Sequence, residues 1–145
     1  MQMTETLSDS RIVEMMRRAG MRPSVQRIAV FAYIANERCH PSADDIFSEL
    51  VARFPTMSRT TVYNALHALI DAGLVRGLEI ESGNMRYDMA PQPSHSHFVC
   101  RRCGHIFDMP MPAGVGSVAT GGFRIDEVDL FFKGLCPTCA AEAEA

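Results

Sequence analysis

Apolar side chains recur at three- and four-residue steps through the first half of the chain and at two-residue steps later, so helices are expected before strands. Ile12, Met15, Met16 and Ala19 share one helical face, and Gly20 supplies a stop. In MRPSVQR, Pro23 and Ser24 open a second helix that carries Ile28, Phe31, Ala32 and Ala35 on one side. The stretch CHPSADDIFSELVARF predicts a third, with Ser42 as N-cap and Asp44 and Asp45 in the first turn, where the helix dipole favours acids. Its core face is Ala43, Ile46, Phe47, Leu50 and Phe54. A fourth helix is expected from Ser58, as N-cap, to Ala72, with Gly73 ending it. Val62, Leu66, Leu69 and Ile70 form its inner stripe, Thr60, Asn64, His67 and Asp71 lie opposite, and Tyr63 sits at the edge.

After Gly73 the period changes to two. LVRGLEI and MRYDM flank Glu81, Ser82, Gly83 and Asn84, which read as a hairpin turn. Short helices followed by a hairpin are the plan of a winged helix-turn-helix. The second half differs: APQPS reads as a linker, HFVC, HIFDM and VDLFF as short strands, and PAGVGSVATGG as too glycine-rich for more than a short helix. The terminal AAEAEA reads as a frayed tail. The expected class is therefore α+β. A winged helix-turn-helix over residues 1–89 and a linker at 90–94 precede a small α/β domain over 95–145 with a zinc site of four cysteines.

With 145 residues, 47% of them hydrophobic and 21% charged, the chain is globular in composition. No apolar run approaches the roughly 18 residues of a membrane span. The opening MQMTETLSDS has neither the basic start nor the apolar stretch of a secretory signal, so a cytoplasmic location is expected. A net charge of −3 argues against non-specific coating of polyanions but allows binding through a local basic patch.

Four of the five cysteines form two C-x-x-C pairs, Cys100 with Cys103 and Cys136 with Cys139, with 32 residues between the pairs. Two intervening residues let both thiolates of a turn bind one ion, and four thiolates complete the tetrahedron of structural zinc. Gly104 suits a tight knuckle, and Arg101 and Arg102 offset thiolate charge. A disulfide or unrelated pairs are the bland alternative; a thioredoxin-type site is disfavoured because neither pair lies in a βαβ pattern.

Five further residues have ligand chemistry: His40, Asp88, His95, His97 and Asp108. In a strand, His95 and His97 point to one face. Three nitrogens and two oxygens suit Fe(II) or Mn(II), although affinity order alone favours zinc or copper, so availability decides the metal. Taken singly, each is more simply a surface group or hydrogen-bonding partner.

MRPSVQR, HPSADDIFSEL, FPTMSRTTVYNALHALIDAGLV, RYD, HSHFVCRRCGHIFD and GLCPTC together resemble the ferric-uptake-regulator family of bacterial transcription factors over nearly the whole chain. Within it, the chain is most similar to the peroxide-sensing repressors. It has Asn64 where iron-uptake regulators usually carry arginine, and Asp88 and Asp108 where they carry glutamate. The resemblance implies a structural zinc at the four cysteines, a regulatory Fe(II) or Mn(II) at His40, Asp88, His95, His97 and Asp108, and a homodimer built on the C-terminal half. It also implies a non-enzymatic repressor that releases its operator when peroxide oxidises His40 and His95 at the bound iron. An iron- or manganese-sensing repressor with little peroxide chemistry is the alternative. Ser94 and Ser96 beside the histidines are poor ligands and the late strand offers Asp126, so no third metal site is expected. Cys39 is outside the family pattern; it reads as a small residue packed at a helix start, or as an oxidation target beside a redox metal.

The fourth helix is the expected reading helix. Arg59 and Thr60 occupy its first turn, where phosphate is favoured, Tyr63 can meet a thymine methyl and Asn64 an adenine edge. Arg22 and Arg27 are placed to hold phosphate. Residues 1–90 carry ten arginines against eleven acidic side chains, so binding rests on a local patch and two reading heads. A pseudo-palindromic, A·T-rich double-stranded operator is expected. For the arginines an ordinary solvated face, and for Tyr63 core packing, are the simpler alternatives.

Overall fold

The computed structural model describes residues 6–37, 39–90, 95–115, 121–125 and 128–144, with only the backbone of His95. The chain divides into two compact units, Met1–Pro91 and Gln92–Ala145.

In the first unit, α1 (Asp9–Arg18), α2 (Val25–Glu37), α3 (Ala43–Leu50) and α4 (Arg59–Asp71) precede a hairpin of β1 (Val75–Glu81) and β2 (Asn84–Met89). Each helix begins where a short hydroxyl side chain meets the first free N–H groups. Ser8, Ser24, Ser42 and Ser58 accept from the backbones of Arg11, Arg27, Asp45 and Thr61. Ser42 also completes a capping box, since Asp45 accepts from its N–H. Gly73 closes α4 with φ 76°, a left-handed turn that favours glycine.

The core of this unit joins Ile12 and Met16 of α1, Val30, Phe31 and Ile34 of α2, Ile46 of α3 and Val62, Leu66 and Leu69 of α4. The periodicity of α2 understates its burial: Ala29, Val30 and Ile34 are buried while Ile28 and Ala32 are only partly covered. The helix lies among three others and is enclosed on a wide arc. Ile70, expected inside, is 38% exposed; the inner stripe of α4 runs through Ala65 instead, one face-width round. The strands pair antiparallel, Val75 opposite Met89 and Arg76 opposite Asp88, with a bulge between Glu79 and Glu81 beside the Ser82–Gly83 turn.

The second unit is a three-stranded sheet in the order β4 (Ile106–Pro110), β3 (His95–Cys100), β5 (Phe131–Gly134), followed by α5 (Pro137–Glu144). β3 pairs antiparallel with β4 and parallel with β5. The last strand begins at Phe131, later than VDLFF suggests: Leu130 accepts from His97 N–H, and regular pairing starts only beyond it. The expected frayed tail is helical to Glu144. Pro137 is preset for a first helical turn, Ala140 N–H donates to Cys136 C=O at 2.8 Å, and alanine and glutamate are good helix formers. Within residues 112–122, 116–120 lie outside the described residues.

Among the described residues, the buried apolar interior of this unit is Cys100, Cys136 and Cys139 with partly buried Phe98 against them. Phe107, Met109, Phe132 and Leu135 stand exposed. No helix among the described residues is long and apolar enough to cross a membrane.

Candidate metal centres and nucleic-acid interface

Two knuckles bring the cysteine sulphurs together. Gly104, with φ 76°, turns the chain after β3 so that its N–H reaches Cys100 C=O, and α5 starts one residue after Cys136. All four Sγ atoms lie within 4.8 Å of one another, and Cys103 Sγ is 3.9 Å from Cys136 Sγ. A tetrahedron with bonds of ~2.3 Å has edges of roughly 3.8 Å, so the quartet is gathered at a spacing that suits zinc. None of the five cysteines forms a disulfide. Cys103 N–H and Cys136 N–H donate to Cys100 Sγ at 3.5 and 3.4 Å, and bonds of this kind pull its thiol down to about 5. Burial, and then thiol hydrogen bonds with Cys136 and Cys100, push Cys139 up to about 12. These backbone donors favour a negative sulphur at Cys100, which suits a cation bound among the four.

Arg102, expected to offset thiolate charge, also makes structural contacts of its own. Its guanidinium donates to Cys139 C=O at 3.3 Å and approaches Glu142 at 3.7 Å, tying the first knuckle to α5. A residue the sequence reading passed over is His105, whose Nδ1 lies 3.3 Å from Cys103 Sγ. Its position two residues after a ligand cysteine was the available signal.

The second constellation is built in halves. In the first unit His40 and Asp88 are 4% and 6% exposed, and His40 Nε2 lies 3.5 Å from Asp88 Oδ2. Asp88 Oδ1 accepts from Met89 N–H at 2.8 Å. In the second unit His97, 2% exposed, faces Asp108 across the β3–β4 ladder with 3.6 Å between Nε2 and Oδ1, and its ring stacks on Phe131. Both separations exceed ordinary hydrogen-bond length. They are close to the roughly 3–3.5 Å between neighbouring ligands of one ion at bonds of about 2.0–2.2 Å. His95 opens β3; its side chain, like Ser94 and Asp126, lies outside the described residues. Ser96 is buried and donates to Pro110 C=O at 3.0 Å.

His40 has a left-handed backbone, φ 50°, the only non-glycine residue with positive φ among the described residues. Two hydrogen bonds from β2 pin its loop: Arg86 Nη1 to His40 C=O at 3.1 Å and Tyr87 N–H to Pro41 C=O at 3.0 Å. Arg86 is a second residue passed over, although it opens the RYD motif. Cys39 is exposed rather than packed, because the loop turns it outward beside Tyr33. Burial, and then the Cys39 thiol, push the Tyr33 hydroxyl up to about 12.

On α4, Thr60, Tyr63 and Asn64 are exposed, Tyr63 by 45%. Asn64, Thr61 and Ala65 line a groove with Ser24, Gln26 and Arg27 from the start of α2. A second groove runs between Tyr63 and the hairpin tip at Gly83, Asn84 and Met85. Arg22 is exposed, and Arg27 Nη1 donates to its carbonyl at 2.8 Å. Arg59 is already engaged: it pairs with Asp44 at 2.5 Å and lies over the Phe47 ring.

Residues 18–116 match the Ferric uptake regulator family. The chain is 35% identical over 133 residues to the peroxide operon regulator of Bacillus subtilis, covering 88% of this chain and 90% of that one. It is 36% identical over 131 residues to the transcriptional regulator FurA of Mycobacterium tuberculosis, covering 88% of each. A solved zinc uptake regulator complexed with zinc and DNA superposes with a TM-score of 0.71 at 26% identity, covering 94% of this chain and 95% of that one.

Zinc is expected to remain at one ion per chain after mild chelation. Cys136→Ser should lose it and melt the second unit while the first keeps its helices, read by metal analysis and circular dichroism. A Cys136→Ser protein that kept both zinc and the sheet would refute the assignment.

Proposed function

Since the chain belongs to the ferric uptake regulator family, we propose that it is a metal-dependent, dimeric repressor that releases its operator when peroxide oxidises the regulatory site. The observation that carries this reading is the pair of half-sites. Each couples one buried histidine to one aspartate at ligand spacing, in a chain 35% identical to a peroxide operon regulator. His40, Asp88, His95, His97 and Asp108 would hold one Fe(II) or Mn(II), drawing on both units. The four cysteines hold a zinc that supports the fold. Exposed apolar side chains on β4 and β5 suit burial against a second copy, which gives two reading heads for a pseudo-palindromic site.

On DNA, the first turn of α4 enters the major groove, with Tyr63 and Asn64 at base edges and Thr60, Arg22 and Arg27 at phosphates. Arg59 reaches phosphate only by giving up Asp44. Tyr63→Ala and Asn64→Ala should each cost about 1–3 kcal/mol at the operator and relax sequence preference. Arg22→Ala should weaken all sequences alike. Tyr63→Ala with normal operator affinity would exclude α4 as the reading helix.

Fe(II), when held by these residues, would supply the electrons that activate peroxide, and the net change would add one oxygen atom of peroxide to a ligand ring and release the other as water. The imidazoles of His40 and His95 are the oxidisable groups there, since carboxylates resist. An imidazole that has gained oxygen ligates poorly, and the two units then lose their common tie. A sensor that works through reduced iron suits the cytoplasm.

The similarity to FurA, at 36% identity, favours a second reading in which the same site reports iron with little peroxide chemistry. Peptide mass spectrometry after stoichiometric peroxide separates the two. The sensor gains about 16 Da, one oxygen atom, on the His40 or His95 peptide with Fe(II) and not with Mn(II). Modification of Cys39 alone would indicate a thiol switch. An unmodified protein still on DNA would establish the iron-sensing reading.

A further inference from the structure

We propose that Arg86 is a positioning residue for the regulatory metal, holding His40 in the one backbone conformation that aims its ring at Asp88. The inference rests on the reading of His40 and Asp88 as metal ligands. His40 lies between the end of α2 and the cap of α3, in a left-handed conformation that side-chain-bearing residues leave unless tertiary contacts hold them. The Arg86 guanidinium provides such a contact. Nη1 donates to His40 C=O at 3.1 Å, Nε to Asn84 Oδ1 at 3.3 Å, and Nη1 stands 4.0 Å from Asp45 Oδ2. The same Asp45 oxygen accepts from Ser42 N–H in the α3 capping box.

One planar cation therefore ties the His40 loop to the hairpin and to the start of α3, with its donors fixed in one plane. Asp88 follows Arg86 by two residues on the same strand, so the arginine fixes the histidine relative to the strand that carries the carboxylate. Without those donors His40 C=O loses the Arg86 hydrogen bond and the loop can relax towards right-handed backbone, carrying the ring away from Asp88. Metal must then select a minor conformer, and its apparent affinity falls by the fraction still competent. Losses on removing a group that orients a ligand run about tenfold to a hundredfold.

The test uses the full-length, zinc-replete protein titrated with Mn(II), followed by calorimetry and by the manganese paramagnetic resonance signal. Thermal melting of the protein without Mn(II) is run beside it. Arg86→Met, which keeps the aliphatic stem and removes the donors, should weaken Mn(II) binding by about tenfold to a hundredfold while leaving that melting close to wild type. Arg86→Lys, which restores a donor, should recover most of the loss. If Arg86→Met does not fold, Arg86→Gln takes its place with the same expectation. Wild-type Mn(II) affinity in the donor-less variant, or a lysine variant as weak as it, would overturn the proposal. His40→Ala separates the two levels. If it too binds Mn(II) like wild type, the site reading fails and the role of Arg86 with it; if it loses Mn(II) while Arg86→Met does not, only the role of Arg86 fails.

Discussion

Among its described residues the second unit has almost no hydrophobic interior of its own, and that constraint governs how this unit holds together. A unit of this size ordinarily needs a disulfide, a metal or a partner to offset the entropy of ordering its chain. Here the buried centre is sulphur: Cys100, Cys136 and Cys139, with Phe98 against them. Zinc at that point would contribute folding energy directly, because the unfolded chain has no preformed site. The sheet so held presents His97 and Asp108 on adjacent strands at ligand spacing. Zinc held by the four cysteines would thus support the strands that carry the second half of the proposed regulatory site.

The first unit is the opposite case. Its helices share a continuous apolar core and are capped at their N-termini by serine hydroxyls, so it stands without metal. Its half-site is a local exception, a left-handed histidine and a buried carboxylate fastened to the hairpin. Splitting the proposed ligand set between a self-sufficient unit and a zinc-dependent one gives the ion a mechanical role. Under the proposed reading, a bound ion would restrict the freedom of one unit against the other, and loss of ligands would restore it. Free energy available for switching is limited to the difference in metal affinity between arrangements.

Much of this was legible in the residues. Serines ahead of apolar runs marked the starts of α3 and α4, Gly73 marked a helix end, and the C-x-x-C spacing announced the sulphur cluster. The misses have physical causes. Ile70 sits at the boundary of a helical stripe, where a turn of one residue decides burial, and α4 rotates to bury Ala65 instead. The C-terminal alanines and glutamates carry no strong periodicity, and the helix they form is started by Cys136 and Pro137 rather than by an apolar face. Arg86 left no pattern in composition or period because its hydrogen bond goes to a carbonyl 46 residues away, and His105 had only its place two residues after a ligand cysteine as a signal. The engagement of Arg59 by Asp44 is likewise a tertiary fact: the two residues lie 15 apart in sequence, on different helices.

The central claim is that an ion shared by the two units sets the affinity for DNA. Operator binding by the zinc-replete protein, with and without saturating Mn(II), tests it most directly. The account predicts tight binding only with Mn(II), and a reciprocal gain in Mn(II) affinity, by the same factor, when the operator is present. Equal operator affinity in the two states would contradict it.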